Sequence, residues 1–448
     1  MNWFHHRHGK LAVQSLCQLS QLARARLRGG SAEPSAKPVN NKKQFGKFSP
    51  LRVGFVPLLD CAPLVMAQEL GLFWKHGLRV KLERELGWAT VRDKIIYGEL
   101  DAAHALAAMP VSATLGLGSI PCDCLTALVM NLHGNAITLA NDLWQRGVRD
   151  GDTLREEIKR SRREKVLTFG VVFPFSSHRH LLRKWFSAHG IDSERDVRMV
   201  VVPPPQMAAN LKAGNLDGFC VGEPWNSVAV QARAGWCVAA SSELDPRHPE
   251  KVLMVRREFA EQRADEHLAL VAALLEACEF CAAPENHERI AAMLAQPEFV
   301  GVPAEILRRG LDGRLDLGGE AARTVPDFCR FHGAGVNEPT GDKAAWALEL
   351  VRASGLCPQP SELNFAFGRR VFRADLFNQA VRLASGADET SPDQASWERW
   401  RPAGEFRDPP RQPAGGTPAL PGALPGLTRE TSNQTQHEIK IENEPVTV

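Results

Sequence analysis

Apolar and polar residues alternate along Leu78-Arg-Val-Lys-Leu-Glu-Arg, with Leu78, Val80 and Leu82 on one side, the period of a half-buried strand. Directly afterwards Val91, Ile95 and Ile96 share one helical face, which makes Glu85 to Lys94 a strand-to-helix junction. A helix start leaves backbone N–H groups unpaired and carries partial positive charge, so it can hold a small anion beside Trp88. An ordinary turn with a half-buried indole is the plainer reading of this stretch alone.

The same pattern, read outward, gives a strand from Leu51 to Val56 and a helix from about Ala62 through Trp74, with Pro63 in its first turn and Gly77 just past its end. After the helix at 90–97, Gly98-Glu-Leu-Asp-Ala-Ala-His turns into a third strand, completing a β-α-β-α-β unit and predicting a parallel sheet. About a hundred residues later the order returns, with a strand at 166–172, a helix over 177–189, a strand at 197–202 and a helix over 207–212. Gly214-Asn-Leu-Asp217-Gly-Phe then echoes Gly98-Glu-Leu-Asp101-Ala-Ala. A repeated unit implies two similar lobes, and two lobes imply a cleft.

Asn131-Leu-His-Gly-Asn135-Ala-Ile-Thr-Leu139 suits a crossing between lobes, and a second crossing follows Gly222-Glu-Pro-Trp-Asn226 through a helix to a strand at 251–255. Further helices are expected over 258–283, 287–296 and 343–354, and the charged run 149–165 reads as a solvated surface helix. The expected organisation is a basic arm and linker over 1–49, the first lobe over 50–138, the second over 139–240, a return with C-terminal helices over 241–400, and a disordered tail over 401–448.

Composition narrows the field. With 448 residues, 44% hydrophobic and 24% charged, the chain has globular character, and a formal net charge of +2 gives no reason to expect nucleic acid as its main partner. No apolar run reaches the length of a membrane span, and Leu11 to Leu27 is too often interrupted by Gln and Arg for a secretory signal, although the Arg-rich start faintly resembles a transit peptide. The 10 Cys are scattered through apolar segments and read as buried thiols of a reducing compartment; Cys122/Cys124 and Cys278/Cys281 are not expected to hold zinc, and His5, His6 and His8 read as a solvated tail.

Ligands of α/β sheets bind at the carboxyl ends of strands, and in two-lobed proteins between the lobes. The polar residues gathered there are Trp88 and the backbone of Ala89, Asn135, His178 and Lys251, with Asp60, His104 and Glu223 as additional cleft candidates. A Lys charge, His and backbone donors, an amide and an indole suit a small planar anion. Each also has a plainer role: Trp88 as core, Asn135 as a turn former, His178 as decoration of a helix start, Lys251 as a surface cation. Phosphate-binding, zincin and nucleophile-elbow motifs do not occur, and the pairing of Glu223 with Asp101 as acid and base has nothing to fix its distance, so no enzyme, metal or cofactor is expected.

At Ala62-Pro-Leu-Val-Met-Ala67, Gly87-Trp-Ala89, Asp101-Ala-Ala-His104, Met109-Pro110, Gly134-Asn-Ala-Ile-Thr-Leu139, Gly222-Glu-Pro-Trp-Asn226 and His248-Pro-Glu-Lys251, the sequence from about 51 to 385 resembles the NrtA/CmpA-type nitrate- and bicarbonate-binding proteins of ABC importers and their cytoplasmic sensor relatives. The resemblance implies an α/β, two-lobed type II periplasmic-binding-protein-like fold with a ligand cleft, and nitrate or nitrite held by Trp88, the backbone at Ala89, Asn135, His178 and Lys251. In the family a Gln is expected where Asn135 stands. Nitrate or nitrite is favoured over bicarbonate, because no acceptor for a ligand's own proton is evident. The resemblance points first to a cytoplasmic NasS-type sensor whose partner is a NasT-like RNA-binding antiterminator. The alternative is an exported importer component, periplasmic or membrane-associated, that docks on an ABC importer permease. A thiamin-precursor synthase on the same fold is a third class.

Overall fold

Leu51, Val53 and Phe55 are buried and set the first strand of a computed structural model that describes residues 49–317 and 322–385. Most of the expected arm and all of the expected tail lie outside the described residues, as do Cys17, His5, His6 and His8. The first lobe opens with β1 (Leu51–Phe55), α1 (Ala62–Glu69), β2 (Val80–Arg84), α2 (Trp88–Ile96) and β3 (Ala102–Leu106). The helix expected to run to Trp74 stops earlier, because Gly71 takes a left-handed φ of 69° and a separate short turn, Leu72–Lys75, follows.

β4 (Cys124–His133) then leads through Gly134 into β5 (Asn135–Ala140), so the chain leaves the first sheet for the second through one glycine, earlier than the expected boundary at 138. His133 and Gly134 carry φ of 64° and 95°, and a Cβ on Gly134 would lie 3.3 Å from Cys329 Sγ, so a side chain there would crowd the crossing. The second lobe continues with β6 (Thr168–Val171), α3 (Ser177–Ala188), β7 (Arg198–Val201), β8 (Gly218–Gly222) and β9 (Gly235–Ala240), before β10 (Pro249–Arg256) returns. β9 was not anticipated; it keeps the chain in the second lobe for one more strand.

The first sheet runs Cys329–Arg330, β4, β10, β3, β1, β2, and the second β7, β6, β8, β5, β9. β1, β2 and β3 are parallel, as are β6, β7 and β8. The sheets are nonetheless mixed rather than parallel: β10 runs antiparallel to β3 and β4, and β5 antiparallel to β8 and β9. The physical reason is the crossings, which bring each strand into its new sheet from the opposite end.

The repeat is visible in hydrogen bonds. Asp101 Oδ2 accepts from Arg52 N at 2.8 Å and Asp217 Oδ2 from Thr168 N at 2.8 Å, each acid tying the start of its lobe's third strand to the first. Asp101 therefore sits at the strand starts, away from the cleft, and is paired with Arg52 and Arg263. It does not join Glu223 as an acid/base pair.

α4 (Ala264–Ala282) lies behind the first sheet with Leu270, Val271, Leu274, Ala277, Cys278 and Cys281 all buried, so these thiols pack as small apolar groups. The charged run folds as Gly151–Ser161 under a capping box made by Asp150 and Thr153, with Leu154 and Ile158 turned inward. α5 (Gly341–Ala353) follows near the C-terminal end. Among the described residues no single helix is long and apolar enough to cross a membrane.

Candidate functional site

Loops after parallel strands carry side chains into the space between the sheets. Asp60 lies in the turn after β1, Trp88 opens α2 after β2, His104 stands on β3, and all three are buried. From the second lobe His178 enters at the second position of α3, whose start is fixed by Ser176: its hydroxyl accepts from Arg179 N at 3.1 Å. Asn135 comes from the start of β5 and Lys251 from β10, both with no solvent exposure. The lobes meet around them, with Leu59 N donating to Glu223 O at 2.8 Å and Trp225 Nε1 to Pro57 O at 3.0 Å.

Lys251 is the centre of the cluster. Its Nζ donates to Asp60 Oδ2 and to Glu250 Oε1, both at 2.7 Å, and lies 5.3 Å from the Trp88 ring centroid. His104 Nε2 is 2.9 Å from Asp60 Oδ1, and its ring is 5.6 Å from that of Trp88. Asn135 Nδ2 donates to Glu250 Oε2 at 2.7 Å, and His178 Nε2 stands 3.8 Å from Glu250 Oε1. Thus Trp88, His104, Asp60, Asn135, His178 and Lys251 are brought together.

Two candidates stand apart. Ala89 has an exposed side chain, so any part it takes belongs to its backbone at the start of α2. Glu223 is buried at the crossing after β8, where it accepts from Ser227 N at 3.3 Å instead of meeting Lys251.

Charge in the cluster follows from pairing. Burial, the largest single influence, pushes the Asp60 and Glu250 carboxyls up, but Lys251 together with His104 at Asp60, and with His178 and His248 at Glu250, outweighs it and holds Asp60 below, and Glu250 well below, the usual range. Burial likewise disfavours the Lys251 ammonium, and the two carboxylates more than restore it. His178 is pushed down to about 4 by burial, and His104 is lowered for the same reason, so both rings are neutral at pH 7. Glu223 is pushed up to about 7 by burial, which outweighs its hydrogen bonds from Ser227 and Asn226 and the charge of Arg309. Asp60, Glu250 and Lys251 therefore carry two negative charges against one positive. A further anion adds a like charge, and two like charges 4 Å apart repel by about 4 kcal/mol at an effective dielectric of 20.

Several polar atoms here lack partners: Trp88 Nε1, His178 Nε2 and Asn135 Oδ1 are buried and make no hydrogen bond. Leaving such atoms unsatisfied costs about 1–3 kcal/mol each; the Trp88 N–H calls for an acceptor, whereas Asn135 Oδ1 is itself an acceptor and calls for a donor. Gly222 supports that closeness, since a Cβ on it would lie 3.3 Å from Asn135 Oδ1 and 3.2 Å from Leu58.

Glu250 and His248 were missed as cleft residues. Strand alternation sends Glu250 to the face opposite Lys251, but β10 bulges against β4: Pro249 pairs with Leu132 and Lys251 with Asn131, leaving Glu250 as the extra residue. Both side chains then enter the same cluster. The available signal was the run His248-Pro-Glu-Lys251 itself, three ionisable residues beside a proline.

Relatives share this arrangement of elements. The NMT1-like family matches residues 46–295. A nitrate import ATP-binding protein, NrtC, from Synechocystis is 41% identical over 335 residues, covering 74% of this chain and 50% of the relative. The chain thus spans about half the length of such curated relatives. A nitrate/nitrite binding protein, NrtA, from Nostoc is 30% identical, covering 82% of this chain and 85% of the relative. The crystal structure of the periplasmic nitrate-binding protein NrtA from Synechocystis superposes with a TM-score of 0.72 at 28% identity, over 75% of this chain and 89% of that one. With its two sheets and interlobe cluster, the chain has the periplasmic-binding-protein-like fold and belongs to the NMT1-like family, in its NrtA/CmpA-type branch.

Proposed function

We propose that this protein binds nitrate or nitrite between its lobes and performs no catalysis. The observation that carries the reading is the buried Lys251 ammonium surrounded by unpartnered donors, Trp88 Nε1 and His178 Nε2, in a chain related to proteins named for nitrate and nitrite binding. The anion replaces a carboxylate against Lys251, accepts from His178 on the second lobe, and so ties the lobes together. Binding shifts the population toward the closed cleft, and a partner that prefers one form is gained or released by the difference in its affinities, for which about 2–3 kcal/mol suffices.

Calorimetric titration of the full chain with nitrate, nitrite and bicarbonate tests this. One-to-one binding of nitrate or nitrite supports it; binding of bicarbonate alone replaces it.

The biological setting has two readings. Relatives named as parts of nitrate and bicarbonate importers favour an importer component that meets a permease at the membrane. The mostly buried free thiols suit a cytoplasmic sensor that controls an RNA-binding antiterminator. Cell fractionation separates them: the importer reading requires the chain outside the cytoplasm or at the membrane, and the sensor reading requires it in the cytosol, bound to its partner only without nitrate.

A further inference from the structure

The Glu250 carboxylate is planar, negatively charged and already lodged against the donors meant for the anion. One oxygen accepts from Lys251 at 2.7 Å and lies 3.8 Å from His178 Nε2; the other accepts from Asn135 at 2.7 Å. Those contacts join both lobes, as a bound anion would. We propose that Glu250 is a tethered competitor for the ligand and sets its specificity: nitrate binds only as Glu250 yields Lys251 and gains one proton. The inference rests on the nitrate reading above.

The argument is one of charge and donors. Glu250 is faced by Lys251 from its own strand and His248 just before that strand, by His178 from α3, by His104 from β3, by Asp60 beyond Lys251, and by the thiols of Cys220 and Cys329. His248 Nε2 lies 3.4 Å from Glu250 Oε2 without hydrogen-bond alignment, and its Nδ1 is 2.8 Å from Asp245 O. Lys251 is the ammonium among them, 2.7 Å from Glu250 Oε1. When nitrate takes the ammonium, Glu250 loses the largest of the contacts that favour its ionised form and would face a second anion inside a dry site. Adding a proton from solvent to its carboxylate removes that repulsion and turns an acceptor into an O–H donor toward the nitrate. Because the complex then holds one proton more than the free protein, affinity falls as pH rises.

Calorimetry of the full-length chain in buffers of different ionisation enthalpy counts the proton directly. The wild type should take up close to one proton per nitrate, with Kd rising about tenfold per pH unit between pH 7 and 8. Glu250→Gln keeps the shape and hydrogen-bonding of the side chain without its charge, and should bind nitrate at least tenfold more tightly at pH 8 with little pH dependence. Nitrate binding without proton uptake overturns the proposal, as does a Glu250→Gln chain that still takes up the proton, which would assign it to His178 or His248. Should Glu250→Gln fail to fold, the proton count and pH slope of the wild type decide. Absence of nitrate binding by both chains from pH 5.5 to 8 overturns the nitrate reading itself.

Discussion

The two lobes are built from the same β-α-β-α-β unit, down to the acid that fastens each third strand, yet they bring different chemistry to the cleft. The first sheet supplies the charges: Asp60 from the turn after β1, and Glu250 and Lys251 from the bulge in β10. The second supplies neutral groups, His178 at the start of α3 and Asn135 at the start of β5, while Glu223, buried apart from them at the crossing, is pushed up to about 7. Repetition gives the scaffold; asymmetry gives the site. Charges buried in one lobe can be paired before closure, while donors on the other are left to meet whatever lies between.

Lys251→Ala breaks this contrast most severely. It strips the cation from two buried carboxylates, and removing one partner of a buried ion pair costs about 3–5 kcal/mol. Urea denaturation should show that loss, and calorimetry should show nitrate binding reduced beyond detection. A variant that keeps wild-type stability would mean the carboxylates are paired elsewhere, and the charged lobe would lose its distinction.

Glu223 sharpens the contrast through pH. Its folded value near 7 lies above the ordinary value of 4.5, so between these the folded protein binds more protons than the unfolded chain. Stability contributed by this group is full below pH 4.5 and is lost as pH rises toward 7, by about 2–3 kcal/mol at most. His178 works in the opposite sense, since its folded value near 4 lies below 6.5 and its contribution grows as pH rises between them. Glu223→Gln removes the first slope only. Relative to the wild type, its stability should therefore gain steadily from pH 5 to 7, and parallel curves would show that Glu223 is ionised throughout.

Much of this fold is legible in the sequence because its elements obey local periods. Gly98-Glu-Leu-Asp101 and Gly214-Asn-Leu-Asp217 mark equivalent turns, and their acids make equivalent bonds. β9 was illegible for the opposite reason: Gly235-Trp-Cys-Val-Ala-Ala240 is a short apolar run whose partner, β5, lies a hundred or so residues away, so pairing and not pattern makes it a strand. The site divides similarly. Trp88, His178 and Lys251 follow from strand ends and from the resemblance to a family, whereas Glu250 enters by a bulge that defeats the alternation from which its direction is read.

His178→Ala tests the neutral lobe. The ring is buried with Nε2 unpartnered, so its removal leaves no orphaned charge and should lower stability less than Lys251→Ala does. Nitrate affinity should still fall by about 1.5–3 kcal/mol, the worth of a hydrogen bond to a charged group. Equal destabilisation by the two variants would show that both lobes carry structural charge.

The smallest effect concerns what holds the lobes together apart from the ligand. Arg183 Nη1 on α3 donates to Ala353 O at 2.7 Å and Arg179 Nη1 to Ser354 O at 3.4 Å, so two second-lobe cations meet carbonyls at the end of α5. A helix C-terminus carries partial negative charge and unpaired carbonyls, which makes this end a latch of about 0.3–1 kcal/mol per cation. α5 is also tied to the crossing before β10, with Trp346 Nε1 donating to Asp245 Oδ2 at 3.1 Å. Arg183→Ala should therefore favour the open form and weaken nitrate two- to fivefold without changing the proton count, since Glu250 and Lys251 are untouched. Solution scattering should show a larger radius in the variant without nitrate and equal radii with it. An unchanged affinity would leave closure to the cleft alone, with the difference in chemistry between the two lobes as its whole cause.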